Sequence, residues 1–202
     1  MPQENEDLVH IADDIRRAAC RSGANESQSS ASNINVTNIN ELEKRAAEDW
    51  AKSNGCWIPM ADIFDLGLPG PSGSESDTFL TKEGIIYKMN NLLHCQDSIV
   101  SALLRFALFN ILFPDTAYSF VGFAGFDGRS VYPIVKQNFI KDCTPATQNE
   151  VDCYMAAIGF EKIEAGKYKN QEFLVSDILP KNVLKDPTGD LFVIDAEIRL
   201  ME

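Results

Sequence analysis

The chain has 202 residues, 45% of them hydrophobic and 24% charged, the balance of one compact soluble domain with an appendage. Thirty acidic against 18 basic side chains give a net charge of −12, which opposes binding to nucleic acid or anionic membranes. No apolar run reaches membrane-spanning length, and the acidic start Met1-Pro2-Gln3-Glu4-Asn5-Glu6-Asp7 does not suit a signal peptide. Five scattered cysteines, Cys20, Cys56, Cys95, Cys143 and Cys153, have no metal-like spacing and read as free buried thiols of a cytoplasmic protein. With only His10 and His94 present, a histidine zinc site or a His-dependent hydrolase has little material; His94 reads as a partly buried structural residue.

Leu8, Ile11, Ala12, Ile15, Ala18 and Ala19 predict a helix over 7–21, in an N-terminal segment 1–23. Gly23 to Asn38 is dominated by Ser, Asn and Ala and reads as a flexible linker, 24–39 in the domain division. Asn40 and Glu43 form a capping pattern for a second helix ending at Gly55, with Leu42, Ala46 and Trp50 on one face. Gly84 to Lys88 reads as a strand, and Val100, Leu103, Leu104, Ala107, Leu108 and Ile111 mark a helix over 98–112 that Phe113-Pro114-Asp115 stops. Tyr118 to Phe123 and Val131 to Gln137 are the strands of a hairpin. Thr147 and Glu150 form a capping box for a helix running to Ile158 and stopping at Gly159. Polar turns follow around 165–167 and 169–171.

The end of the chain carries the chemistry. Asp177 is followed five residues later by Asn182, then by apolar Val183-Leu184, the turn Asp186-Pro187-Thr188-Gly189-Asp190, and a run Leu191 to Ile194 closing on Asp195. This is the layout of a protein-kinase catalytic loop and metal-binding Asp. Phosphoryl transfer needs a carboxylate to orient the acceptor hydroxyl and oxygen ligands to hold Mg²⁺ against the phosphates. Asp177 suits the first role, and Asn182 with Asp195 the second. Lys88, at the end of its strand, suits phosphate contact, and Gln137, Asn138 and Phe139 stand where a hinge offers backbone groups to adenine. The plain alternative is that these Asp and Asn residues only cap helices and form turns.

In this order along about residues 40–200, the chain resembles the compact Ser/Thr/Tyr kinase-like domains of polyvalent proteins from bacterial phages and conjugative elements. The residues that carry the resemblance are Trp50 to Ile58, Gly73-Ser74-Glu75, Tyr87 to Asn91, Leu112-Phe113-Pro114, Val121-Gly122-Phe123, Val135-Lys136-Gln137, Gly159-Phe160, Asp177 with Asn182, and Val193-Ile194-Asp195. The resemblance implies binding of ATP and Mg²⁺ and kinase activity on an undefined hydroxyl acceptor, protein or small molecule. It also implies nucleotide contacts from Gly73, Glu75, Lys88, Gln137, Asn138, Phe139 and Lys181.

Departures from an ordinary kinase are visible too. Val175 stands where His of His-Arg-Asp would be, and Leu179 replaces the Lys after the catalytic Asp, leaving Lys181 to reach the phosphates. No Glu occurs from Gly84 to Asn149, so the helix cannot supply the Glu that pairs with the strand Lys, for which Asp97 or Glu75 could substitute. The Gly-rich loop is reduced to Pro69 to Glu75, and Ala196-Glu197 follows Asp195. The expected fold is α+β, a minimal two-lobed kinase-like fold lacking the activation segment and lower C-lobe. An N-lobe-like part would span 40–140 and a truncated C-lobe-like part 141–202. Its alternative function is a catalytically degenerate module that binds nucleotide or protein.

Overall fold

Helical periodicity at the N-terminus is realised as two long helices. In the computed structural model, which describes residues 3–29, 36–128 and 130–201, α1 spans Gln3–Ser29 and α2 spans Val36–Ser53. Leu8, Ile11, Ala12, Ile15 and Ala19 of α1 share one core cluster with Leu42, Ala46, Ala47 and Ala51 of α2. Burying each large aliphatic side chain contributes roughly 1.5–3 kcal/mol. The linker expected over 24–39 is therefore helical at 24–29 and 36–39, and its remainder, 30–35, lies outside the described residues. Ser and Asn are only mildly poor helix formers, and extending a helix that tertiary packing has already nucleated gains one hydrogen bond per residue fixed.

The chain divides into two compact units, Met1–Ala107 with Tyr118–Gln137, and Leu108–Ala117 with Asn138–Glu202. After α2 the first unit continues with β1 (Trp57–Pro59), a 3-10 segment Met60–Leu66, β2 (Leu68–Pro69), β3 (Ser76–Leu80) and β4 (Ile85–Asn90). Helix α3 (Ile99–Leu112) then leads to β5 (Ser119–Phe126) and β6 (Ser130–Asn138). These strands form one sheet in the order β1-β5-β6-β4-β3-β2. β2, β3 and β4 make an antiparallel meander; the crossover through α3 sets β5 beyond β6, where β1 pairs with it in parallel, Trp57 against Phe123. Ile99, Val100, Ala102, Leu103 and Ala107 of α3 join the α1–α2 cluster together with Phe123 and Val131.

The Asn40 and Glu43 pattern does not open α2, which already starts at Val36. Instead Glu43 Oε2 accepts from Ser98 Oγ at 2.7 Å and from the Val100 N–H at 3.2 Å, so it caps α3. Asn40 Nδ2 donates to the Gln96 carbonyl at 2.7 Å, and Lys44 Nζ lies 2.5 Å from Asp97 Oδ2. A carboxylate beside free N–H groups at a helix start is favourable wherever in the chain it comes from.

The second unit holds β7 (Thr144–Pro145), α4 (Gln148–Ala157), β8 (Glu161–Glu164), β9 (Lys167–Lys169) and β10 (Phe173–Ser176). It closes with β11 (Val183–Lys185), β12 (Leu191–Val193) and β13 (Glu197–Leu200). They form a sheet β13-β10-β9-β8 and a smaller one β12-β11-β7. The expected capping box at Thr147 and Glu150 is complete, with Glu150 Oε2 also accepting from the Thr147 N–H at 2.7 Å. The five cysteines form no disulfide, yet Cys95 alone of them is buried, Cys20 and Cys153 being exposed. His94 is likewise exposed. No helix of the described residues is long and apolar enough to cross a membrane.

Candidate active site

In the second unit, β10 delivers the chain to Asp177 between two antiparallel neighbours, Val175 standing opposite both Tyr168 of β9 and Ile198 of β13. Val175 and Ile178 are fully buried and anchor the segment on both sides of Asp177. Asp177 takes a left-handed backbone, φ 59°, which Asp adopts more readily than most residues and which turns the chain sharply out of the strand. The Ile178 N–H then donates to the Gly166 carbonyl at 3.0 Å, and the Leu179 N–H to the Asp177 carbonyl at 2.9 Å.

A 3-10 turn, Pro180–Asn182, follows with Pro at its start. Asn182 is buried, and its amide Nδ2 donates to the Asp177 carbonyl at 2.8 Å and to Asp177 Oδ2 at 2.8 Å. Lys181 Nζ lies 3.4 Å from the same carboxylate oxygen. With both amide protons spent on Asp177, Oδ1 is the Asn182 atom left to a cation. The Asn182 carbonyl accepts from the Ile194 N–H at 2.9 Å, one residue before Asp195, and the ladder is fixed by Val183 opposite Val193. Thr116 Oγ1 donates to the Val193 carbonyl, tying β12 down. Asp195 itself is exposed. At the far end of this hairpin the Asp186 carboxylate accepts from Thr188 Oγ1 and the N–H groups of Thr188 and Asp190, which holds it below the usual carboxylate range.

The hairpin β8–β9 that touches this loop is itself fixed to α4. Asp152 accepts from Lys162 Nζ at 2.6 Å, from Tyr168 Oη at 2.6 Å and from Gln148 Nε2 at 2.9 Å. Lys162 and Tyr168 hold the Asp152 carboxyl down at about 2, while burial and the Asp152 charge push the Tyr168 phenol up.

In the first unit, Lys88 lies in β4 opposite Thr78. Its Nζ donates to Tyr118 Oη at 3.0 Å and sits 4.9 Å from that ring's centroid. Tyr118 opens the approach to β5, and no spacing rule pointed to it. Gly73 lies at the exposed end of the β2–β3 hairpin, where its N–H donates to the Ser76 carbonyl at 3.0 Å. Glu75 Oε2 lies 3.6 Å from Arg105 Nη2 of α3, and its Oε1 lies 3.5 Å from His94 Nδ1. Asp97, one of two acids expected to replace the missing helix Glu, is bound to Lys44, and Glu75 is engaged by Arg105 and His94. Lys44 lies on α2, Arg105 on α3 and His94 in the short 3-10 turn before α3. At the end of β6 Gln137 is buried, and Asn138 and Phe139 after it are exposed.

The structure thus brings Asp177, Lys181 and Asn182 into direct contact and ties Ile194, the residue before Asp195, to the Asn182 carbonyl. It adds Tyr118, Arg105 and Thr116, whose roles are tertiary. No curated protein matches the chain. Residues 40–202 match the family described as Serine/Threonine/Tyrosine Kinase found in polyvalent proteins. The α+β fold, with its meander, crossover helix and catalytic-type loop, is kinase-like, and the chain belongs to that family of serine/threonine/tyrosine kinases found in polyvalent proteins.

Proposed function

We propose that this domain is an ATP- and Mg²⁺-dependent phosphotransferase acting on a hydroxyl acceptor. The observation that carries the reading is the clamp between Asn182 and Asp177: a left-handed turn at Asp177 held by an amide whose Oδ1 remains for a ligand. Residues held in sparsely populated backbone regions cluster at sites of chemistry. Asp177 orients the acceptor hydroxyl and takes up its proton, with Lys181 steadying its charge. Asn182 Oδ1 and the exposed Asp195 carboxylate are hard oxygen donors, a set that fits Mg²⁺ and not a thiophilic metal. When bound, Mg²⁺ supplies charge neutralisation at the phosphates. Lys88, oriented by Tyr118, contacts phosphate, Gly73 and Glu75 line the nucleotide, and Gln137, Asn138 and Phe139 offer backbone groups to adenine.

One observation favours a second reading, a nucleotide- or protein-binding module without turnover: α3 carries no acid to pair with the strand Lys. Thermal unfolding with ATP, with and without Mg²⁺, tests binding, since a ligand of the native state raises its stability. ATP consumption then tests chemistry. Mg²⁺-dependent stabilisation with turnover that collapses in Asp177→Asn supports the phosphotransferase. Stabilisation without turnover leaves the nucleotide-binding module, and no stabilisation removes the phosphotransferase and leaves only a protein-binding module.

A further inference from the structure

A cavity of about 370 Å³ adjoins the Asp177 loop, wholly within the second unit. Asp177 and Leu179 contribute one side, Ser176 and Leu174 of β10 the floor, and Lys167 and Arg199 the opposite edges. The volume holds a small molecule or a short stretch of peptide. Its two cations have no assigned work. Lys167 Nζ is 3.6 Å from Glu164 Oε1 and Arg199 Nη2 is 3.7 Å from Glu197 Oε2, both beyond hydrogen-bond reach. The Lys167–Glu164 pair is exposed, and Arg199 is exposed although Glu197 is not; contacts this long contribute little, so a ligand anion can compete for either cation at small cost. Glu164 lines the cavity too, so two cations balance its two acids there, a local exception in a chain of net charge −12. Asp177 repels an anion at its own end, so a molecule that satisfies the whole cavity carries a neutral hydroxyl at Asp177 and negative charge toward Lys167 and Arg199.

We propose that this cavity is the acceptor subsite and that it selects hydroxyl compounds bearing an anionic group, a carboxylate or a phosphate, close to the hydroxyl. The assignment rests on the phosphotransferase reading. In the reaction the acceptor oxygen forms a bond to the γ-phosphorus, the bond from that phosphorus to the β–γ bridging oxygen breaks, and its electron pair leaves with ADP. The hydroxyl proton passes to Asp177. Arg199 and Lys167 touch only the acceptor's anion and act on its binding, so their loss falls on KM more than on kcat.

The test uses the full chain with three acceptors: a Ser peptide flanked by Asp, the same peptide flanked by Lys, and glycerol 3-phosphate. Binding is read by calorimetry without nucleotide, and transfer by label from γ-³²P ATP. The wild type should favour the anionic acceptors over the Lys peptide by about tenfold or more in affinity and KM. Whichever of the two is stronger identifies peptide or small molecule as the source. Lys167→Glu with Arg199→Glu should reverse the order, while Arg199→Lys should retain it, which separates charge from misfolding. Equal use of the acidic and basic peptides, or an order unchanged by charge reversal, overturns the subsite while ATP consumption still supports the phosphotransferase. Failure of the wild type to bind or consume ATP overturns the phosphotransferase reading and the subsite with it.

Discussion

Asn182 donates both protons of its side-chain amide to Asp177, one to the carbonyl and one to the carboxylate, each at 2.8 Å. A single residue thereby fixes the backbone turn and the direction of the carboxylate. Asn182→Ala removes both bonds from a buried position and should lower turnover about 10- to 100-fold, the usual effect of losing a group that orients a site. Asn182→Asp keeps an oxygen for a cation but sets two carboxylates together, so it should bind the metal nucleotide yet lose the turn. Single-turnover kinetics beside urea unfolding distinguish the two variants.

Asp195→Asn keeps the shape of an exposed side chain and removes its charge. The shift in unfolding temperature produced by ATP with Mg²⁺ should shrink, and turnover should fall with it. An Asp with a purely structural role would instead lower the unfolding temperature of the ligand-free protein and leave the ligand-induced shift intact.

Glu43 caps a helix that lies 55 residues further along the chain, through Ser98 Oγ. Glu43→Ala strands a buried N–H and a hydroxyl and should cost about 1–3 kcal/mol. Asp97→Ala breaks the more exposed Lys44 pair close by and should cost only about 0–1 kcal/mol. Urea denaturation of both variants measures the difference, and equal losses would mean that Glu43 is not a cap.

Asp152 connects acid stability to the hairpin beside the Asp177 loop. Hydrogen bonds from Lys162 and Tyr168 depress its pKa from 3.8 to about 2. A carboxyl with a depressed folded-state pKa contributes stability that is fully present above its unfolded value and is lost as pH falls through the folded one. Glu150, held down at about 2 from 4.5 by Lys185 and the Thr147 cap, acts in the same direction. Stability should therefore fall between about pH 4.5 and pH 2, and Asp152→Asn should be weaker at neutral pH with a flatter decline through that window. Denaturant titrations at stepped pH read both effects.

Gly166 and Gly159 make a controlled comparison. Both have positive φ, 74° and 86°, so Ala at either carries a backbone cost of about 1–2 kcal/mol. A Cβ at Gly159 meets open space, whereas at Gly166 it would stand 2.7 Å from Leu179 Cδ2 in the catalytic-type loop. Gly159→Ala should lose stability alone. Gly166→Ala should lose stability and turnover, since Leu179 must shift and the Gly166 carbonyl holds Ile178.

What the sequence determined by itself is local. The Thr147 and Glu150 box, the stop at Phe113-Pro114, and the spacing of Asp177, Asn182 and Asp195 each depend on residues within one turn or one hairpin, and the structure realises them as helix ends and a closed loop. Composition over 24–39 misled, because the backbone there is helical at both ends where long packed helices extend into it. Asn40 and Glu43 misled for a related reason: the pattern of a cap was present, but the free N–H groups it satisfies belong to α3. Tertiary structure alone decided that Tyr118 orients Lys88 and that Arg105 and His94 engage Glu75. It also joined β1 to β5 and set Lys167 and Arg199 at the edge of one cavity. A charged group or strand edge takes whichever partner the fold brings within a few ångströms, and separation along the chain carries no record of that choice.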